Sequence, residues 1–63
     1  MTAQKELKTA ARNLRAARDK LTTATAAAET AAITAHDDGT PETEIARMLG
    51  VNRMTVRRWL GKL

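Results

Sequence analysis

The chain of 63 residues has no cysteine, one histidine and no long apolar segment. Without cysteine, neither a disulfide nor a thiolate metal site can stabilise the fold. The single imidazole of His36 cannot form a metal-binding cluster by itself, so we expect neither a metal nor another cofactor. No segment approaches the roughly 20 apolar residues of a membrane-spanning helix, and the polar N-terminus lacks the apolar stretch of a signal peptide. These absences predict a cytoplasmic protein with no membrane partner.

Combinations of side chains that support catalysis are also missing from the sequence. No nucleophile is paired with a base, and no glycine-rich loop could hold a phosphate. Asp37 and Asp38 are adjacent, but two carboxylates without a third ligand fit a loop better than a metal site or a catalytic site. We therefore predict no catalytic residues, no enzyme activity and no small-molecule ligand.

An excess of basic residues is the clearest feature of the composition. Eleven lysine and arginine residues against seven acidic residues give a formal net charge of +4 and a pI of about 10.4. Such a balance favours a polyanionic partner. A chain of this length forms one small domain with little core, and domains of that size commonly depend on oligomerisation.

The first half of the sequence predicts one long helix. From Thr2 to about His36 there is neither glycine nor proline, and alanine, the best helix former, is abundant. At 1.5 Å per residue such a helix is about 50 Å long. Gly39 is suited to the left-handed conformation that ends helices, Thr40 is the expected N-cap of the next helix, and Pro41 is its expected first residue.

One face of this helix carries a heptad repeat of leucine and alanine, which we term the seam. Ten consecutive seam positions hold only these two residue types, and this predicts a coiled coil through which residues 3–35 form a homodimer. The eight positions from Leu7 to Ala31 are the predicted oligomerisation residues. The seam consists of Ala3, Leu7, Ala10, Leu14, Ala17, Leu21, Ala24, Ala28, Ala31 and Ala35.

The orientation of the two helices in this coiled coil is left open by the sequence. Small seam residues let helix backbones approach closely, so the pattern resembles the Ala-based antiparallel pairing known as an Alacoil. An antiparallel pair would hold the two C-terminal halves at opposite ends of the rod, whereas a parallel pair would hold them close together. A single solvated helix is the alternative, but isolated helices are marginal in water.

The segment after Pro41 predicts a short helix that ends in a glycine turn. Ile45, Ala46 and Leu49 are spaced as the apolar stripe of a helix, and Gly50 follows where a left-handed residue would end it. The methyl group of Ala46 leaves room for another helix to cross closely. Glu42, near the start, suits the positive dipole end of the helix.

A second short helix follows, and its exposed face is basic. Asn52 is a good N-cap, since its side chain can accept hydrogen bonds from the free amides of the first turn. Val56, Trp59 and Leu60 form the predicted buried stripe. From Asn52 to Leu63 there are four basic residues and no acidic one. The predicted outward-facing residues are Arg53, Met54, Arg57 and Arg58, with Lys62 just beyond the helix.

We expect the end of the long helix to complete a three-helix unit. Ile33 lies off the seam, and an isolated large apolar side chain there needs a partner. Ile33 and His36 are therefore predicted to cover the core formed by Ile45, Leu49, Val56 and Trp59. The resulting division is an oligomerisation helix over residues 1–36 and a second unit over residues 37–63, capped by the end of the long helix.

The stretch IARMLGVNRMTVRRW resembles the helix-turn-helix of site-specific resolvases, small phage and plasmid repressors and sigma-factor tails. It is also similar to short actinobacterial helix-turn-helix proteins that carry one long Ala- and Arg-rich helix in front. The resemblance covers about a third of the chain and implies an all-α fold of three helices, a bacterial protein and double-stranded DNA as the partner. The matching positions are Ala46, Gly50, Val51, Val56 and Trp59.

This resemblance implies that the helix from about Arg53 to Leu60 enters the major groove. Its arginines would read guanine edges, with Arg57 as the chief candidate, and Met54 would pack on a thymine methyl. Asn52 could reach an adenine, although its capping role competes with that. Thr43, Thr55 and Lys62 would contact phosphates. The complete predicted DNA-binding set is Asn52, Arg53, Met54, Thr55, Arg57, Arg58, Lys62 and Thr43.

The function that we predict from the sequence is regulation of transcription by a homodimer that binds specific double-stranded DNA in the nucleoid. One alternative is a DNA-organising protein of low sequence specificity, which would use the long helix to bridge duplexes. Another is a coiled-coil interaction module, since helical hairpins with a glycine turn also occur in proteins that never touch DNA.

Overall fold

The computed structural model describes residues 2–62, and these form three α-helices without any strand. The helices are α1 (Thr2–Asp37), α2 (Glu42–Leu49) and α3 (Arg53–Trp59). The predicted all-α fold, with one long helix before a helical hairpin, is confirmed. The molecule measures 56 × 20 × 16 Å because α1 projects far beyond the part of it that packs on α2 and α3.

Most of α1 is a solvent-exposed rod. Residues 2–27 are exposed throughout, and the large apolar side chains of the seam are among them. Leu7 is 70% exposed, Leu14 51% and Leu21 67%. Within one chain, therefore, the described residues leave the seam uncovered over most of its length. None of the described helices combines the length and the apolar character needed to cross a bilayer.

A glycine turn ends α1 and redirects the chain into α2. Gly39 has φ +101, its amide donates to the carbonyl of His36 (3.0 Å), and the amide of Thr40 donates to that of Ala35 (2.9 Å). This is the Schellman pattern, in which a left-handed glycine lets the chain satisfy the last carbonyls of the helix. The predicted role of Gly39 is confirmed.

The predicted start of α2 is wrong by one residue. Pro41, not Thr40, is the N-cap, and it provides no side-chain hydrogen bond. Its carbonyl accepts from the amides of Glu44 and Ile45, both at 3.1 Å. Pro41 has extended backbone angles (φ -65, ψ 149), so it precedes the helix instead of forming its first turn. The helix consequently begins at Glu42.

The turn between α2 and α3 agrees with the prediction. Gly50 has φ +68, and the amide of Val51 donates to the carbonyl of Ala46 over 3.1 Å. Asn52 then caps α3, because its side-chain oxygen accepts from the amide of Thr55 at 2.8 Å. Glycine and asparagine at this spacing therefore determine both the end of α2 and the start of α3.

A small core holds the three helices together. Its buried members are Ala32 of α1, Ile45 and Ala46 of α2, and Val56 of α3, which is fully buried. Methyl groups at positions 32 and 46 allow the helices to approach closely. Partly buried side chains at the edge of this core are Ala35, Val51, Trp59 and Leu60.

Two predicted core residues lie outside this core. Ile33 is 39% exposed, because Ala32 occupies the face of α1 that meets the hairpin and the next residue lies about 100° further around the helix. Leu49 is 37% exposed, since it is the last residue of α2 and lies at the rim rather than between the helices. The prediction for His36 is nearer to the structure, in which this side chain is half-buried.

Candidate nucleic-acid interface

The outer face of α3 is an exposed basic surface of the hairpin. Val56 points into the core, so residues two before and two after it lie on the opposite side of the helix. These are Met54, which is 54% exposed, and Arg58, which is exposed. With Arg53 in the first turn they form a convex surface of apolar and cationic groups, and α3 contains no acidic residue.

Three cations of this region, Arg53 among them, converge on one carboxylate, in what we term the Glu42 cluster. Oε1 of Glu42 accepts from Nη1 of Arg57 at 3.0 Å and from Nε of Arg53 at 3.4 Å. Oε2 accepts from Nζ of Lys62 at 2.9 Å. The side chain of Glu42 is only 12% exposed. Its carboxylate joins the first turn of α2 to both turns of α3 and to Lys62, which follows α3.

The charge of Glu42 is strongly favoured in this arrangement. The hydrogen bond from Lys62 and, after it, the one from Arg57 lower the pKa of this carboxyl from 4.5 to about 2, against the opposing effect of partial burial. Glu42 is therefore ionised at neutral pH. It offsets part of the positive charge beside α3 and orients three of the side chains that were predicted to bind DNA.

Lys62 also links this cluster to the end of α1. Its Nζ lies 3.0 Å from Nε2 of His36, which is the geometry of an ammonium donor and a neutral imidazole acceptor. The same lysine therefore contacts residues of α1 and α2. Its side chain is 39% exposed, so these contacts leave part of it open to solvent.

The remaining predicted DNA-binding residues occupy different environments. Thr43 is exposed on the first turn of α2. Thr55 is half-buried, and its hydroxyl donates to the side-chain oxygen of Asn52 at 3.1 Å. Because that oxygen also caps α3, only the amide nitrogen of Asn52 is left for other contacts. On the far face of α2, Arg47 pairs with Glu44, which raises the pKa of the arginine and lowers that of the carboxyl.

The sequence did not reveal the role of Glu42. Its place in the first turn of α2 suggested only a favourable interaction with the helix dipole. Its partners Arg57 and Lys62 lie 15 and 20 residues away, so no local spacing relates them. The available signal was a pair of acids, Glu42 and Glu44, followed by a purely basic α3, which indicates ion pairs but not which side chains form them. Among residues 2–62, no three potential ligands are grouped so as to hold a metal ion.

Comparison with known protein families identifies the segment that contains this surface. The family described as a homeodomain-like domain matches residues 30–62, which is more than half of the chain. The match therefore covers the last turns of α1 together with α2 and α3. No curated protein and no solved structure shows a significant match.

Proposed function

This chain belongs to the family of homeodomain-like domains and is a helix-turn-helix DNA-binding protein, and on that premise we propose that it regulates transcription as a sequence-specific homodimer. Domains of this family are in general not enzymes. In our proposal α3 enters the major groove, as the second helix of such a hairpin does. The protein would act in the nucleoid of a bacterial cell.

The observation that carries this proposal is the exposed face of α3. Met54 and Arg58 lie opposite the fully buried Val56, on a helix whose start is held by the Asn52 cap. A guanidinium can donate two hydrogen bonds to O6 and N7 of guanine, and a thioether can pack on a thymine methyl. Arg58 and Met54 are thus the residues that we propose to read bases, with Arg53 at the groove edge.

Arg57 has a different position within the proposed interface. Its guanidinium is 32% exposed and lies against Glu42, so a direct base contact requires it to leave the carboxylate or to bridge carboxylate and base. We propose that Arg57 mainly orients α3 on α2 and contributes positive potential. Thr43, Thr55 and Lys62 are the proposed phosphate contacts, which position a protein on DNA without specifying sequence.

The proposed division of labour places pairing in the exposed part of α1 and DNA binding in the hairpin. The boundary near residue 36 follows the end of the long helix, but Ala32 belongs to the hairpin core. A chain that begins at residue 37 would lack this methyl group and the end of the helix that covers Ile45 and Val56. We therefore propose that the DNA-binding unit includes the last turns of α1, and the matched range of residues 30–62 supports this.

Selection of bound duplexes from a random pool at physiological salt tests the proposal. The expected result is an enriched inverted repeat, because two identical hairpins read two half-sites. Retained binding without enrichment would replace the regulator with a DNA-organising protein. Absence of binding would overturn the proposal and leave an interaction module.

Arginine variants then test which residues read bases. Arg58→Ala should weaken binding about 5- to 150-fold and relax the preference at one base position. Arg57→Ala should weaken binding less and retain the base preference. Arg12→Ala, at an exposed position of α1 remote from the hairpin, is the matched control. Loss of base preference in Arg57→Ala but not in Arg58→Ala would reverse our assignment.

A further inference from the structure

An apolar groove lies between the end of α1 and α2. Ala31 and Ala35 form its α1 wall, Ile45 lies at its base, and Met48 and Leu49 form its α2 wall. Met48 is 69% exposed and Leu49 37%, so the described residues of one chain do not cover the groove. Its lining is almost entirely apolar, and this favours an aliphatic occupant over a polar one.

The seam leads directly into this groove. Ala31 and Ala35 are its last two positions, and a seven-residue repeat drifts by about 20° per heptad around a helix with 3.6 residues per turn. The seam therefore winds toward the groove side of α1. Ala32, which packs on the hairpin, lies about 100° from Ala31 around the helix. A second helix that follows the seam would thus enter the groove beside the hairpin, with Ala35 bordering both the groove and the hairpin core.

We propose that this groove binds Leu7 of a second copy of the chain, in an antiparallel pairing of the two α1 helices. The proposal deepens, and rests on, the homodimeric part of the proposed function. Leu7 lies opposite the partner's Ala31, Leu14 opposite the partner's Ala24 and Leu21 opposite the partner's Ala17. The two-fold axis passes near residue 19, and every seam position then has a counterpart.

Side-chain size favours this register. Each leucine meets an alanine and the remaining layers pair alanine with alanine, so no layer is wider than one leucine and one alanine and the helix backbones can stay close throughout. A parallel pair would place leucine against leucine at Leu7, Leu14 and Leu21 and alanine against alanine between them, which requires the separation to alternate. It would also bring only the small Ala31 and Ala35 of the partner to the groove. The antiparallel pair fills the groove with a leucine that is 70% exposed in the single chain.

The contact area supports participation of the groove in pairing. A helix face about 50 Å long and about 10 Å wide contributes about 500 Å² per copy, or about 1,000 Å² in total. That value lies at the lower end for specific protein interfaces. The seam alone is therefore marginal, and Met48 and Leu49 from both copies extend it with exposed apolar surface.

This pairing determines where the two hairpins lie. Each packs on Ala32, so they are about 40 Å apart along the rod at 1.5 Å per residue. The two-fold axis is perpendicular to both helices. Around each α1, the hairpin lies about a quarter turn from the partner helix. Both hairpins therefore project from the same side of the pair. Their spacing approaches the 34–36 Å between half-sites one turn apart on DNA.

Disulfide formation between introduced cysteines tests the register, and the chain has no native cysteine to interfere. A mixture of Leu7→Cys and Ala31→Cys chains should give a heterodimeric disulfide under mild oxidation. Neither variant alone should form one, because identical positions are far apart, about 36 Å at Leu7. A disulfide in Leu7→Cys alone would show a parallel pair and overturn the proposal. No disulfide in any sample, with a monomer in sedimentation, would overturn it as well.

A charge in the groove provides an independent test without cysteine. Met48→Asp should weaken dimerisation about tenfold or more, while circular dichroism confirms that the exposed substitution leaves the hairpin folded. Ile33→Asp, on a partly exposed position away from the groove, is the matched control. Unchanged dimerisation of Met48→Asp would refute the groove contact. If the disulfide forms but no DNA is bound, the proposed function fails and this pairing stands.

Discussion

Nζ of Lys62 lies 2.9 Å from Oε2 of Glu42, although the two residues are 20 positions apart in the sequence. The approach depends on the turn after α3, where Gly61 has φ +74 and the amide of Lys62 donates to the carbonyl of Arg57 at 2.9 Å. The chain is thereby directed back over the start of α2. Because Nζ of Lys62 also contacts Nε2 of His36, this side chain connects the segment after α3 to the start of α2 and to the end of α1.

The Glu42 cluster makes stability depend on acid pH. The folded-state pKa of Glu42, about 2, is below its ordinary value of 4.5. Its contribution to the free energy of unfolding is therefore complete above pH 4.5 and is lost as the pH falls toward 2. Glu42→Gln should flatten the pH dependence of stability within this window, as measured by thermal unfolding followed by circular dichroism.

Glu44→Gln is the control for that measurement. The pKa of Glu44 is also lowered, but its partner Arg47 is a local, exposed side chain three residues away. Exposed pairs of this kind contribute little to stability. The slope between pH 4.5 and 2 should therefore change less than in Glu42→Gln. Equal slopes in Glu42→Gln and the parent chain would contradict the role of the cluster.

The turn between α2 and α3 requires a left-handed residue at position 50. A Cβ added to Gly50 would meet nothing within 4 Å, so the effect of a substitution there comes from the backbone conformation alone. Gly50→Ala should lower the free energy of unfolding by about 1 kcal/mol, and Gly50→Asn by less, because asparagine tolerates this conformation. Urea unfolding of both variants checks this. Equal stability of the two would show that the turn relaxes.

Two substitutions of Asn52 distinguish its contribution to stability from its effect on DNA binding. Asn52→Ala removes the acceptor of the Thr55 amide and should lower the free energy of unfolding by about 1 kcal/mol. Asn52→Asp keeps an acceptor and should retain stability, but its charge beside α3 should weaken DNA binding. Thermal unfolding and duplex titration of the same two variants measure both effects. An Asp variant as unstable as the Ala variant would show that the cap contributes little.

The proposed dimer should strengthen as salt is raised. Antiparallel pairing brings Arg18 beside the partner's Arg18 near the two-fold axis, and this repulsion is screened at higher ionic strength. A parallel pair would place Arg18 beside the partner's uncharged Asn13, so removal of the Arg18 charge should affect a parallel dimer less. Sedimentation at low and high salt checks the difference. Arg18→Gln should tighten the dimer at low salt, and a dimer that is insensitive to both changes would argue against the antiparallel register.

Much of the local structure was predictable because single residues determine it. The absence of glycine and proline from residue 2 to 36 predicted α1, and Gly39, Gly50 and Asn52 predicted the ends of the helices that the structure contains. The error at Thr40 arose because Pro41 adopts extended backbone angles and takes the N-cap position, although residue preferences favour a side-chain acceptor such as threonine there. Helical spacing correctly placed Met54 and Arg58 on the outward face of α3, whereas Arg57, which was expected there as well, lies half-buried against Glu42.

The sequence by itself determined the three helices, their turns and the basic character of α3, since these depend on backbone preferences within a few residues. Tertiary structure alone decided that Ala32 rather than Ile33 meets the hairpin, and that Glu42 gathers Arg53, Arg57 and Lys62. Both depend on how the helices are rotated against one another. That rotation is selected by close packing around Val56 and Ala46, which no local pattern encodes.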